Sequence, residues 1–307
     1  MKGETNLENL LTAEHICKNY PGFALRDISF YVAPGTVTGL IGPNGAGKTT
    51  TLRILLGLSP FAEGRISYFG LGRDASDPQI RARIGAVLDG GSFFEDLTAD
   101  QMMHIISKGY RSWNAQVYRK YMGQFGLDPR KKLSSYSRGM HAKFALVLAL
   151  SHEADFLVMD EPTAGLDPLV RRELLDVLQE FMSDGRRSIL FSTHITSDLD
   201  RIADEIILLD NGHLVFQENK DDLLERFRIV KGTSAQLTPQ VRALLADLKE
   251  TPFGFTGITD NAPALRKLAP ELVTEHCHIE DVMAASTSPG KAQSQPSGGK
   301  IHVGTYL

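Results

Sequence analysis

Gly42-Pro43-Asn44-Gly45-Ala46-Gly47-Lys48-Thr49-Thr50 decides the fold. The stretch fits G-x-x-x-x-G-K-[ST] at every fixed position. Gly42, Gly45 and Gly47 let the backbone turn tightly, so that the loop, with Pro43 as a further member and the N–H groups of Asn44 and Ala46 among its donors, can surround phosphate. Lys48 brings a mobile ammonium to the outer phosphates. Thr49 offers a hydroxyl to Mg²⁺, and Thr50 closes the stretch. The flanks agree. Val37-Thr38-Gly39-Leu40-Ile41 is an apolar strand-like run, and Thr51 to Leu56 continues as a helix whose N-terminus meets the phosphates. A glycine-rich turn that binds nothing is the competing reading, and these flanks together with an acidic pair downstream weigh against it.

The 307 residues allow one large domain plus an appendage, and 42% apolar residues suit a globular protein with a sizeable core. Phe144 to Leu150, the longest tight apolar run, is far too short to span a bilayer. The opening MKGETNLENL has no apolar signal-peptide core, so the expected location is the cytoplasm, with any membrane role mediated by a partner. A net charge of −4 without a long basic run gives no support to nucleic-acid binding. Cys17 and Cys277 form no motif and read as reduced thiols. One phosphate loop and no internal repeat imply a single nucleotide-binding unit.

Before the loop, residues 12–18 and 26–32 read as strands around the turn Asn19-Tyr20-Pro21-Gly22. Tyr20 is either a platform for a purine or a turn aromatic packed on the core. Residues 64–70 and Ile84 to Leu88 read as further strands. From Asp96 to about Leu150 the periodicity is helical, with Thr98 and Asp100 as caps, and interrupts the strand–helix alternation as an inserted subdomain. Strands at Phe156–Met159, Ser188–Ser192 and Ile206–Leu209 alternate with helices at Leu169–Met182 and Ser197–Ala203, a doubly wound pattern. Asn211-Gly212 turns the last strand into a hairpin. Residues 229–285 read as a small α+β appendage with a helix at Pro239 to Lys249. Residues 286–307, rich in Ser, Gly and Pro, read as a disordered tail.

Chemistry gathers at strand ends. Asp160 emerges from the buried run Phe156-Leu157-Val158-Met159, placed to hold Mg²⁺, and Glu161 beside it can polarise an attacking water. Two acids at a strand end can also be a plain solvated terminus. His194 follows another strand and can reach a γ-phosphate or orient the water, although such a histidine alone is more often structural.

Taken in order, Tyr20, the GPNGAGKTT loop, Tyr136-Ser137-Arg138-Gly139-Met140, Leu157 to Pro168 and Ser192-Thr193-His194 closely resemble the nucleotide-binding subunit of ABC transporters over residues 10–228. The resemblance implies an α/β fold: a phosphate-loop ATPase core with the helical subdomain at about 96–150. It implies ATP and Mg²⁺ as cofactors, with Lys48, Glu161 and His194 catalytic and Tyr20 stacked on adenine. Gly165-Leu166-Asp167 would touch an opposing cassette, whose own Ser137 and Gly139 would complete the ATP site. Two departures stand out. The usual Leu-Ser-Gly-Gly-Gln signature is here Tyr-Ser-Arg-Gly-Met, where Arg138 turns away, adds a cation near phosphate, or weakens the site. Asp89 stands where the family has glutamine and is either a third metal ligand or part of a surface turn with Gly90-Gly91.

Phe93-Phe94 read as a surface for a membrane partner or as core. His276-Cys277-His278 reads as a poor chelator of a soft metal. Ile279-Glu280-Asp281-Val282 resembles the ending of drug- and peptide-exporting members, and the altered signature and appendage resemble bacitracin-type exporters. The expectation is therefore an ATPase motor. It would pair with a second cassette and act on an integral membrane permease at the inner face of the membrane, exporting a peptide antibiotic or another amphipathic compound. The alternatives are a soluble clamp ATPase on ribosomes or DNA and a poorly hydrolysing regulatory cassette.

Overall fold

The computed structural model describes residues 9–88 and 93–287. Strands β1 (Leu11–Tyr20), β2 (Phe23–Val32) and β4 (Glu63–Tyr68) form an antiparallel sheet with β1 in the centre. Its inward residues, among them Leu11, Ile16, Leu25 and Ile28, are buried at period two. The hairpin between β1 and β2 spans only Pro21-Gly22, with Tyr20 directly opposite Phe23.

The central sheet lays β5 (Ile84–Val87), β6 (Phe156–Asp160), β7 (Ser188–Ser192), β3 (Val37–Ile41) and β8 (Glu205–Asp210) side by side in parallel, and β9 (His213–Asn219) pairs antiparallel with β8. Every residue of β3, β6 and β7 is buried, which explains their continuous apolar runs: both faces of the sheet are covered. The register sets Asp160 beside Ser192 and Ser192 beside Leu40. The phosphate loop, the acidic pair and His194 therefore leave the same edge of three neighbouring strands.

Helix α1 (Lys48–Leu55) follows the loop, and α2 (Pro78–Arg81) precedes β5. Helices α3 (Ala99–Ser107), α4 (Ala115–Gln124) and α5 (Arg138–Ser151) lie between β5 and β6, as the helical periodicity predicts. Thr98 caps α3 in a reciprocal box with Gln101. Asp100 instead accepts a hydrogen bond from Tyr118 Oη at 3.2 Å. Helices α6 (Pro168–Met182) and α7 (Thr196–Ile202) flank β7, and α8 (Lys220–Arg226) follows β9.

Beyond α8, β10 (Arg228–Gly232), β11 (Ala246–Thr251), β12 (Gly254–Thr259) and β13 (Val273–His276) form an antiparallel sheet in the order β11-β12-β10-β13, with α9 (Pro239–Ala243) and α10 (Ala262–Leu268). The helix expected over Pro239–Lys249 is thus cut short. It stops at Ala243, and Ala246–Thr251 is an edge strand, because pairing with β12 outweighs the local helix preference. Val230, Val241, Phe255 and Leu265 give this part its own small core. Helix α11 (Ile279–Thr287) then returns to the larger body: Cys277, Ile279, Val282 and Ala285 join the main core, and Ile279 N donates to Asp200 Oδ1 of α7 at 3.3 Å. Ser286 and Thr287, assigned to the tail by composition, continue α11, and Thr287 Oγ1 donates to the Met283 carbonyl at 2.9 Å. The remainder of the expected tail, 288–307, lies outside the described residues.

Candidate active site

A cavity of about 510 Å³ opens over the phosphate loop. Asn44, Gly45, Ala46, Gly47, Lys48, Thr49 and Thr50 form its floor, with Glu161, Ala164 and His194 on one side and Phe23 and Arg138 completing the wall. Gly42 and Pro43 lie beneath, where their carbonyls accept from Lys48 Nζ at 2.8 and 3.3 Å. The loop has no room for side chains at its turning points. A Cβ on Gly42 would sit 2.1 Å from the Leu209 carbonyl oxygen, and one on Gly47, at φ 111°, 2.5 Å from Leu25 Cδ2. Burial lowers the pKa of the Lys48 ammonium, while the carboxylates of Glu161 and Asp160 oppose that shift.

Thr49 Oγ1 and Ser192 Oγ both donate to Asp160 Oδ1, at 3.1 and 2.6 Å. Asp160 is buried, so its carboxylate is held in place by these hydroxyls. The Thr49 and Asp160 oxygens are the hard donors that Mg²⁺ prefers, and they stand within reach of one ion. Among the described residues no group of three or more His, Cys, Asp and Glu side chains forms a separate metal site. Asp89 lies outside the described residues. In the His276-Cys277-His278 run, Cys277 is buried, and burial raises its thiol pKa to about 12.

Glu161 takes a left-handed backbone, φ 50°, immediately after β6. Its N–H donates to the Ser192 carbonyl at 3.0 Å. Glu161 Oε2 then accepts from His194 twice, from the backbone N at 3.2 Å and at Nδ1, 2.6 Å away. The acid and the histidine are one unit. Behind them lies a buried network that no motif signals: Asp198 of α7 accepts from Thr163 Oγ1 at 2.6 Å and pairs with Arg171 of α6. It ties the segments after Glu161 and His194 together.

Among the remaining expected residues that are described, Arg138 alone lines this cavity. Ser137 caps α5, accepting from Met140 N at 3.3 Å, and is exposed. Gly139 faces Val170 of α6, with 3.2 Å of room for a Cβ. Asp167 caps α6, accepting from Leu169 N and Val170 N at 3.1 and 3.0 Å. Tyr136 is buried edge-on to Phe144, and its hydroxyl donates to the Asp128 carbonyl at 3.0 Å. Arg138 lies over the Gly165 backbone, its Nη1 2.4 Å from where a Cβ would be. Phe93 packs on Phe144, while Phe94 is 66% exposed. Tyr20 is not among the cavity-lining residues. Its ring lies under Lys18 Nζ at 4.8 Å, and its hydroxyl points to Ser59 Oγ, 3.4 Å away. Phe23, which motif reading passed over, occupies the wall instead.

The ABC transporter family model matches residues 25–164. The bacitracin transport ATP-binding protein BcrA of Enterococcus faecalis is 30% identical over 225 residues, covering 72% of this chain and 73% of that protein. The chain belongs to the ABC transporter family. The Nod factor export ATP-binding protein I of Ralstonia nicotianae is 32% identical over 250 residues, covering 78% of this chain and 77% of that one. Among solved structures, an ATP-binding subunit of an ABC transporter superposes with a TM-score of 0.63 at 28% identity, over 70% of this chain and 92% of the other. The chain is accordingly an ATP-hydrolysing cassette of that family. No helix among the described residues is long and apolar enough to cross a membrane.

Proposed function

We propose that the chain is the motor subunit of an exporter, working as a pair of cassettes at the inner face of a membrane through a separate integral membrane permease. The observation that carries this reading is a division of parts. Lys48, Thr49, Glu161 and His194 line one cavity and Asp160 lies behind it, bonded to Thr49, whereas Ser137, Gly139 and Asp167 sit at helix starts and do not line it. An ATP site built this way is finished by a second cassette that presents Ser137 and Gly139. The relatives named for bacitracin transport and Nod factor export favour an amphipathic cargo, a peptide antibiotic among them.

The chemistry follows from the clamp. Glu161 Oε2 is held by His194, so Oε1 is the oxygen left to take a proton from water. Lys48 and the loop N–H groups stabilise charge on the transferring phosphoryl group. Thr49 and Asp160 would hold Mg²⁺, which when bound neutralises charge on the outer phosphates. Arg138 adds a cation to the cavity wall in this chain. Arg138→Gly is therefore expected to lower kcat/KM for ATP about tenfold, measured by phosphate release; a rise would mean that the arginine weakens the site.

The assembly is tested by affinity purification from gently solubilised membranes. A stoichiometric integral membrane protein is the expected companion. Recovery only with ribosomes or DNA would replace the exporter reading with a soluble clamp ATPase.

A further inference from the structure

His194 reaches Glu161 through two bonds to one oxygen, so the clamp depends on how the two turns that carry these residues are placed. The helix after His194, α7, starts at Ile195 without a side-chain cap. One carboxylate holds both turns. Asp198, buried at 1% side-chain exposure, divides its two oxygens. Oδ2 accepts from Thr163 Oγ1, two residues beyond Glu161, at 2.6 Å, and Oδ1 pairs with Arg171 Nε. Arg171 also donates from Nη2 to Ser197 Oγ at 2.6 Å, so its guanidinium grips two successive residues of α7 from the side of α6. The Asp198 carboxylate cannot turn without breaking one of these bonds. A buried ion pair is a poor device for stability, since packed apolar residues often serve as well. What a fully bonded polar network supplies is a single fixed geometry.

We infer that Asp198 and Arg171 are positioning residues for hydrolysis: they fix the seat of His194 against Glu161, and with it the direction of Glu161 Oε1. The inference rests on Glu161 as the base that activates water. Neither Asp198 nor Arg171 lines the cavity. Lys48 and Thr49 are held instead through Gly42, Pro43 and Asp160, so nucleotide binding does not depend on the network. Misplacing a reacting group by about 1 Å can cost about a hundredfold in rate, and the network stands where it prevents that.

The test replaces the network by apolar residues, Thr163→Val, Arg171→Met and Asp198→Leu together, so that no buried charge is left unpaired. Denaturant unfolding, ATP titration and steady-state phosphate release are measured on the full chain. The triple variant is expected to unfold at the parent's midpoint or above and to bind ATP within about twofold of the parent, yet to lose roughly ten- to hundredfold in kcat. Arg171→Lys keeps the charge but not the two-pronged grip, and should lose about three- to tenfold in kcat at unchanged KM. Added to Glu161→Gln, the triple should cost less than about twofold more, because it acts through that carboxylate. A stable triple with kcat within about threefold of the parent overturns the inference, as does a loss of ATP affinity above about tenfold or full additivity with Glu161→Gln. If the triple does not fold, Arg171→Lys decides: a lower kcat at unchanged KM supports the positioning role, and an unchanged kcat overturns it. Parent-like turnover of Glu161→Gln alone is a separate failure, that of the base reading itself.

Discussion

Glu161→Gln is expected to cut ATP turnover by roughly a thousandfold, within the range for removal of a general base, while ATP binding persists. Glutamine keeps the length and shape of the side chain, and its amide oxygen can still accept from His194 N, now 3.2 Å from Glu161 Oε2. The clamp therefore survives, and what is lost is an oxygen able to take a proton. The surrounding backbone has no reason to move, since the Glu161 N–H continues to donate to the Ser192 carbonyl. Single-turnover phosphate release and nucleotide titration on the same preparation separate the two effects. Turnover within tenfold of the parent would mean that another group activates the water. A parallel loss of binding would mean that Glu161 shapes the pocket and is not the base.

The parts of this site that were legible in the sequence are those fixed by spacing along the chain. The phosphate loop is a continuous nonamer, and Asp160 and Glu161 follow a run whose burial on both sheet faces leaves it wholly apolar. Strand order did the rest, because β6, β7 and β3 are neighbours and their ends must meet. What could not be read depends on side-chain direction or on partners remote in sequence. The directions of two rings beside a short turn, Tyr20 toward Lys18 and Phe23 into the cavity wall, are set by packing that spacing does not show. Asp198, an unremarked acid in α7, finds Arg171 and Thr163 only after α6 and α7 pack together. The strand β11 looked helical because local propensity cannot see the β12 edge to which it pairs. Ser137, Gly139 and Asp167 were recognised by pattern, and within one chain they serve as a helix cap, a close-packed position and a helix cap.

Gly212→Ala is expected to destabilise the fold by about 2–5 kcal/mol, from a left-handed backbone costing about 1–2 kcal/mol and an overpacked contact costing about 1–3 kcal/mol. Asn211 and Gly212 stand at φ 47° and 77°, the primed turn that an Asn-Gly hairpin adopts. The turn does more than reverse the chain. Gly212 N donates to the Ala46 carbonyl of the phosphate loop at 3.1 Å, and the Gly212 carbonyl accepts from Arg26 N of β2 at 2.8 Å. A Cβ on Gly212 would lie 1.8 Å from the Ala24 carbonyl oxygen, a backbone atom that cannot swing aside. The end of β8 presses the same loop from below, where the Leu209 carbonyl excludes any Cβ on Gly42. The hairpin and β2 thus grip the phosphate loop from two sides. Relief of the clash must open the gap between them, and the opening acts on Ala46 and on the seat of the Phe23 ring. Gly212→Ala should therefore lose affinity for tripolyphosphate as well as ATP. Asn211→Gly, which tolerates the same φ, is the matched control and should stay within about 1 kcal/mol of the parent. Denaturant unfolding of both variants, with nucleotide titration of each, measures the two consequences. A Gly212→Ala chain as stable as the parent would show that the hairpin is not a brace for the loop.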